Sequence, residues 1–349
     1  MPTDFTSLDQ PFSNKINIGK QTFLYFGGTA YLGIPQNREF LQLYITGLQK
    51  YGLNNGTSRS NNIQLSIYND AEAIAAERFK AEAALMTSSG YLAAQLTAKN
   101  LSQNGAVLFA PATHPALWLQ NQPADNRSFT TWAQETVQHI NNATEKNWVI
   151  ISNSMNNLFP EVYDFSFLNQ VNPEKNIFLI VDDSHGIGVN NSGGSVYESL
   201  PRQKNIHRIV VASMAKALGV DAGLVLASNE IIKALKNTNE FNGASPSAAA
   251  GAYAFIHAEG IYQAEWEKLQ QNTSYFATKL DSRWKFTANF PAFLIDDAEI
   301  DQKLLKHNLL ISSFPYPTKK SLPINRIVLS SWHERADLDE LIYAINLVV

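Results

Sequence analysis

The chain has 349 residues, a length that suggests about two domains, and 45% are apolar against 17% charged, enough for a large buried core. A net charge of −4 gives no electrostatic reason to expect nucleic acid or an anionic membrane as a partner. Cysteine is absent, which excludes disulfides, thiolate catalysis and Cys-based zinc sites and fits a reducing compartment. Met1–Lys15 has no apolar segment of the kind a secretory signal needs, and no run reaches about 18 apolar residues, so a cytoplasmic location is expected.

In chain order, helical periodicity predicts helices over Arg38–Tyr51 and Ile67–Ala81, then a strand over Ala83–Met86 and a helix over Tyr91–Leu101. Apolar runs follow at Val107–Ala110, Trp148–Ile151, Ile177–Val181, Ile209–Ala212 and Leu224–Ala227, with a helix over Glu230–Asn239. Most of these runs lack in/out alternation, as expected of strands buried on both faces of a mainly parallel sheet, and their interleaving with helices predicts an α/β layered domain. From Ser245-Pro246-Ser247 a single long helix is predicted through Lys279. A strand over Phe286–Ile295, a loop at Ser312–Pro317, a strand over Arg326–Ser330 and a helix over Asp337–Ile345 complete a small α+β C-terminal domain. The expected division is an N-terminal segment (1–40) packing with the small domain, a large domain (41–250), and the linking helix with the small domain (251–349).

Ligands of open parallel sheets bind outside the carboxyl ends of the strands, so the polar residues that follow each run carry the weight. These are Thr87-Ser88-Ser89-Gly90-Tyr91, Thr113-His114, Asp182-Asp183-Ser184-His185-Gly186 and Ser213-Met214-Ala215-Lys216. Taken singly each has a plain structural reading. A lysine after a strand is ordinarily a solvated surface residue, the histidines are ordinary core or loop residues, and Asp182 or Asp183 could cap a helix or pair with a cation. Together, an acid, a lysine, a histidine and a Ser/Gly helix start at one sheet edge form the set that pyridoxal 5′-phosphate (PLP) requires. Gly186-Ile187-Gly188 lacks the third glycine of a dinucleotide fingerprint, and no G-x-S-x-G, H-E-x-x-H or Walker A motif is present. The seven histidines show no metal-ligand spacing, so no metal is expected.

At these residues the chain resembles the α-oxoamine synthases, fold-type-I PLP-dependent enzymes of the aspartate-aminotransferase-like architecture. The likeness runs from about Tyr25 to the C-terminus. Tyr31-Leu32-Gly33 resembles N-x-Y-L-G, and Gly56-Thr57-Ser58-Arg59 with Glu72 resembles G-[GS]-[ST]-R and the L-E pair after it. Ser89-Gly90-Tyr91-Leu92-Ala93-Ala94 resembles S-G-[FY]-x-A-N, and Val181-Asp182-Asp183-Ser184-His185-Gly186 resembles V-D-[DE]-[AS]-H-[GAS]. Ser213-Met214-Ala215-Lys216 resembles [ST]-x-x-K, and Ser331-Trp332-His333 after Arg326 resembles S-A-x-H.

The resemblance implies that Lys216 forms the Schiff base and shuttles the Cα proton, while Asp182 pairs with the pyridinium nitrogen. It implies that His114 stacks on the ring and that His185 sits near the cofactor's phenolic oxygen and the incoming acyl carbonyl. Ser89, Gly90, Tyr91, Ser213 and Asn157 are implied cofactor contacts, and Arg326 grips the substrate carboxylate. The implied reaction condenses an amino acid with an acyl thioester, such as acyl-CoA, with decarboxylation to an α-amino ketone. An aminotransferase or amino-acid lyase would keep Lys216, Asp182 and Arg326 equally well. A homodimer is implied, with Asn242–Ser247 approaching the partner's phosphate. Departures fall at Thr29-Ala30, Ile63, Tyr68, Asn153 and Asn157, which stand where the family pattern has other residues, and at Asn242–Ser247, which stands where it has S-T-S-x-P-P; several of them are substrate-pocket positions.

Overall fold

The computed structural model describes residues 5–121, 123, 125, 127–156, 158–315 and 321–349. A hairpin comes first, β1 (Lys15–Ile18) and β2 (Gln21–Phe26), paired antiparallel across Gly19-Lys20. Gly19 takes φ +61°, a left-handed conformation that glycine adopts without a Cβ clash. Helix α1 (Arg38–Tyr51) starts where the Asn37 side chain accepts the Phe40 N–H, followed by α2 (Ile67–Arg78) and β3 (Ala83–Thr87). Next come α3 (Gly90–Leu101), β4 (Ala106–Phe109), α4 (Phe129–Asn142), β5 (Asn147–Asn153) and a small ladder of β6 (Met155–Asn156) with β7 (Glu161–Val162). Strand β8 (Asn176–Asp182), the turn α5 (Asn190–Gly193), β9 (Ile206–Ser213), β10 (Gly223–Ala227), α6 (Asn229–Lys236) and α7 (Asn239–Asn242) follow. The chain closes with α8 (Ala249–His257), α9 (Glu259–Ala277), β11 (Trp284–Phe286), β12 (Ala292–Ile295), α10 (Ile300–Leu305), β13 (Leu309–Pro315), β14 (Pro323–Val328) and α11 (Arg335–Val348).

The six apolar runs of the sequence form one sheet in the order β3-β10-β9-β8-β5-β4. Alternate residues of its strands enter two different cores. Ile150, Leu179, Val181, Val210 and Leu224 pack on one side, and Val149, Ile151, Ile180, Val211 and Val225 on the other. That two-sided burial, about 1.5–3 kcal/mol for each large aliphatic side chain, explains the absence of alternation in the sequence. Strands β4, β5, β8 and β9 are parallel, whereas β10 runs antiparallel to β9 and to β3. Only Met214–Ala222 separate β9 from β10, too few residues for a crossover helix, so the strand must turn back on its neighbour. The turn that results carries Lys216.

A second sheet, β1-β2-β13-β14-β12-β11, joins the two ends of the chain. Strand β2 pairs parallel with β13, placing Leu24 opposite Leu309. Its N-terminal hairpin was not foreseen, although Ile16 and Phe23 on either side of Gly19-Lys20 are buried and carry the pattern.

Three expectations require correction. The long helix is broken at Ala258, where the Arg78 guanidinium donates to the Phe255 carbonyl at the end of α8 and pairs with Glu259 at the start of α9. The Phe286–Ile295 strand is two strands, β11 and β12, because Asn289 is left-handed (φ 66°) and Pro291 has no N–H for a ladder. The Ser312–Pro317 loop is strand as far as Pro315, with Ser312 opposite Arg326, and residues 316–317 lie outside the described residues.

Candidate active site

Five segments end together at the carboxyl edge of the large sheet. Asp182 closes β8, in register with Asn153 at the end of β5. Its Oδ1 accepts the Ser184 N–H at 2.9 Å, and the Ser184 Oγ accepts the Ser213 N–H at 2.8 Å, so two side chains tie the end of β8 to the end of β9. Ser89 caps α3 by accepting the Leu92 N–H at 3.1 Å. Gly90 sits so close to β9 that a Cβ there would lie 2.5 Å from the Ser213 Cβ. The first N–H groups of α3, at Gly90 and Tyr91, have no partner within the helix and open beside Ser213, while the Tyr91 ring itself is exposed.

His114 follows β4 on a loop that Asn153 clamps at two points. The Asn153 Oδ1 accepts the His114 N–H at 3.0 Å and its Nδ2 donates to the Ala112 carbonyl at 2.7 Å. Only an amide can make both bonds, and they hold Ala112 at φ 55°, a conformation that a non-glycine residue adopts at some cost.

The charges at this edge feel one another. Burial lowers the Lys216 amine below its ordinary pKa; the Asp182 carboxylate opposes that effect and the Arg326 guanidinium adds to it. Burial also lowers His114, with Asp182 opposing and Lys216 adding. His185 lies well below its usual range through burial, reinforced by Lys216, Arg326 and His114. Its Nδ1 is 2.8 Å from the Tyr31 hydroxyl, itself pushed up to about 12 by burial against a smaller pull from Arg326. Arg326 comes from the second sheet, buried in β14 between Leu294 and Ser312, with its guanidinium 5.9 Å from the Phe314 ring centroid.

The structure thus gathers Lys216, Asp182, His185, His114 and Arg326 into one electrostatic neighbourhood, with Ser89, Gly90 and Ser213 on adjoining strand ends. Asn157 lies outside the described residues. Asp183 has no ion pair among the described residues; it is buried, accepts from Ser195 Oγ and Val196 N–H, and is pushed up to about 6 by burial. It therefore caps a turn far along the chain, not the one it precedes. Tyr31, Asn153 and Ser184 had not been assigned roles. Tyr31 and Ser184 lie inside the motifs quoted above, which was the available signal, and the two-point clamp of Asn153 depends on a fold no spacing reveals.

Arg59 and Glu72 form a buried ion pair, joined by Lys236 at 2.7 Å, and Glu72 also accepts the Met86 N–H at the end of β3. Tyr68 donates to the Ser247 carbonyl at 2.8 Å. Among the described residues, no helix is long and apolar enough to cross a membrane, and no cluster of three or more His, Cys, Asp or Glu could hold a metal.

Comparison with known proteins identifies the family and the fold. The family described as aminotransferase class I and II matches residues 45–345. A putative 8-amino-7-oxononanoate synthase of Methanococcus vannielii is 24% identical, over 95% of this chain and 94% of that one. The corresponding protein of Methanocaldococcus jannaschii is 25% identical, over 91% and 89%. Among solved structures, the serine palmitoyltransferase of Sphingomonas wittichii superposes with a TM-score of 0.82 at 15% identity, covering 98% of this chain and 91% of that one. The 8-amino-7-oxononanoate synthase of Francisella tularensis superposes at 0.73 and 19% identity, covering 93% and 96%. With the motifs at the strand ends and the fold in agreement, the chain belongs to the aminotransferase class I and II family of fold-type-I, PLP-dependent transferases.

Proposed function

We propose that the chain is a PLP-dependent C-acyltransferase that condenses an amino acid with an acyl thioester such as acyl-CoA, releasing CO2 and thiol and leaving an α-amino ketone. The observation that carries this reading is the set of charges around Lys216. Its amine has no hydrogen-bond partner among the described residues, is moved toward the neutral form by burial, and shares its surroundings with Asp182 and Arg326. Those residues fit the cofactor. When bound, PLP supplies a protonated ring that draws electrons from the substrate Cα.

Lys216 would carry the cofactor and move the Cα proton, for which a half-buried amine with a lowered pKa is suited. Asp182 would keep the ring nitrogen protonated, and His114 would pack on the ring. Ser89, Ser213 and the N–H groups of Gly90 and Tyr91 would hold the phosphate at the start of α3. Arg326 would take the substrate carboxylate in a two-pronged contact, and His185 would stand by the acyl carbonyl.

A second reading, transamination or amino-acid lysis, is favoured by the departures at Thr29-Ala30, Ile63 and Tyr68, since these differ from the synthase pattern while Lys216, Asp182, His114, His185 and Arg326 do not. The two readings separate when purified protein is given PLP, an acyl-CoA, and glycine, alanine or serine. The acyl-transfer reading expects thiol and CO2 in equal amounts. A 2-oxo acid without thiol would replace it with transamination, and an absorbance response without any product would leave only a binding protein.

A homodimer is part of the proposal. A cavity of about 340 Å³ opens beside Arg59, Tyr68 and Ser247, and the side chains of Leu53 and Ile63 on its wall are 81% and 77% exposed. The Ser247 hydroxyl is buried there without a hydrogen-bond partner among the described residues. A second copy would cover both features, and light scattering that finds a monomer would remove this part. The division at 40/41 and 250/251 and a cytoplasmic location are likewise proposed.

A further inference from the structure

We infer that Tyr31 is a positioning residue for His185: its hydroxyl donates to Nδ1 and holds the imidazole neutral with its proton on Nε2. The site then meets a hydrogen-bond donor there and not a base. This deepens, and rests on, the reading that the site takes PLP and an acyl thioester.

A buried polar group needs a hydrogen-bond partner. Tyr31 is 1% exposed, and its hydroxyl lies 2.8 Å from the His185 Nδ1. A buried hydroxyl must place its hydrogen on an acceptor, and this nitrogen is the one that the described residues offer. Were Nδ1 protonated it would donate to the hydroxyl oxygen, and the tyrosine's own hydrogen would be left without an acceptor among the described residues. The proton of a neutral ring is therefore left to Nε2.

The hydroxyl cannot swing elsewhere. The Tyr31 carbonyl accepts the Ser331 N–H at 2.9 Å, the adjoining Ala30 carbonyl accepts the Ser330 hydroxyl at 2.6 Å, and the Tyr31 ring packs edge-on to Phe290 at 5.6 Å. Gly33 closes the turn at φ +58°, where a Cβ would come within 2.8 Å of Ser331 Oγ.

Burial keeps the ring neutral. Lys216, Arg326 and His114 reinforce it electrostatically, so a cation at His185 is opposed and its pKa falls well below the usual value. Tyr31, pushed up to about 12, keeps its proton across neutral pH. Such an imidazole can donate from Nε2 to an oxygen of cofactor or acyl group, but that nitrogen cannot take the Cα proton. Lys216 is left to do so. The role inferred for Tyr31 is exerted through its bond to His185.

Two-bond 1H–15N spectra of 15N-histidine-labelled protein, with and without PLP, test this, the His185 signals being those missing from His185→Gln. The expected result is an unprotonated, hydrogen-bonded Nδ1 with a protonated Nε2. In Tyr31→Phe the Nδ1 resonance should move to that of a nitrogen without a donor, or a second tautomer should appear. The same change should lower kcat about tenfold and move the amino-acid KM less than about twofold. A protonated Nδ1 in the unaltered protein, or an Nδ1 signal that ignores Tyr31→Phe, overturns the inference. Should Tyr31→Phe fail to fold, the unaltered protein's spectrum decides alone. Because the pair is read without cofactor as well, its failure is distinct from failure of the PLP reading, which would show as no absorbance change on adding PLP.

Discussion

Strand ends of the large sheet supply one half of the site, each from its own short motif. The facing half is assembled from the two ends of the chain: the Ser330 hydroxyl bonds the Ala30 carbonyl 300 positions away, and the His333 Nε2 lies 2.9 Å from the Tyr25 carbonyl. In the first half a residue's place follows from where its strand stops. In the second it follows from the closure of β2 on β13, and Tyr31 and Arg326 reach the site only through that closure. The largest effects on chemistry should therefore come from the first half, with Tyr31 adding a smaller one through His185, while carboxylate recognition and stability should depend on the second.

The largest effects should fall on the strand ends. Lys216→Ala should lower turnover by about 10^4-fold and Asp182→Ala by about 10^3-fold, both with unchanged far-UV circular dichroism. Retention of most activity by either would break the division of labour. Arg326→Lys sharpens it from the other side. A lysine keeps the charge but not the planar fork, so the amino-acid KM should rise about 10- to 100-fold while cofactor absorbance is unaltered. A changed cofactor spectrum would place Arg326 in the wrong half.

The remaining effect is on stability and leaves the chemistry untouched. His333 is 1% exposed, accepts the Ser330 N–H at Nδ1 and lies against the Tyr25 carbonyl at Nε2. Burial holds its pKa down to about 4. Above pH 6.5 the ring is neutral folded or unfolded and adds no pH dependence. As pH falls from 6.5 toward 4 the unfolded chain takes up a proton that the folded chain refuses, so stability drops by about 3 kcal/mol. Asp183, pushed up to about 6, works in the opposite sense between its ordinary value near 4 and 6, so the comparison must be made against His333→Asn. Urea melts at several pH values should show a shallower acid slope in that variant. An equal slope would mean that the second sheet is not held by a neutral His333.

What the sequence made legible follows the same line. The six large-sheet strands were visible because two-sided burial writes an unbroken apolar run, and Lys216, Asp182, His185, His114 and the Ser89-Gly90 turn were visible because each lies directly after one. The hairpin β1-β2 was missed because its buried positions are few and its partner, β13, comes nearly 300 residues later. The break at Ala258 was missed because its cause is a guanidinium from α2 and not a local helix breaker. The Asn153 clamp was hidden for a related reason: sequence showed a departure from a pattern, and only the loop at Ala112–His114 shows what an amide there does.

Absorbance of purified protein titrated with PLP, beside Lys216→Ala, tests the central claim most directly. The account predicts a Schiff-base band in the unaltered protein that responds to one of glycine, alanine or serine and is absent from the variant. A spectrum without that band, or the same band in Lys216→Ala, would contradict it.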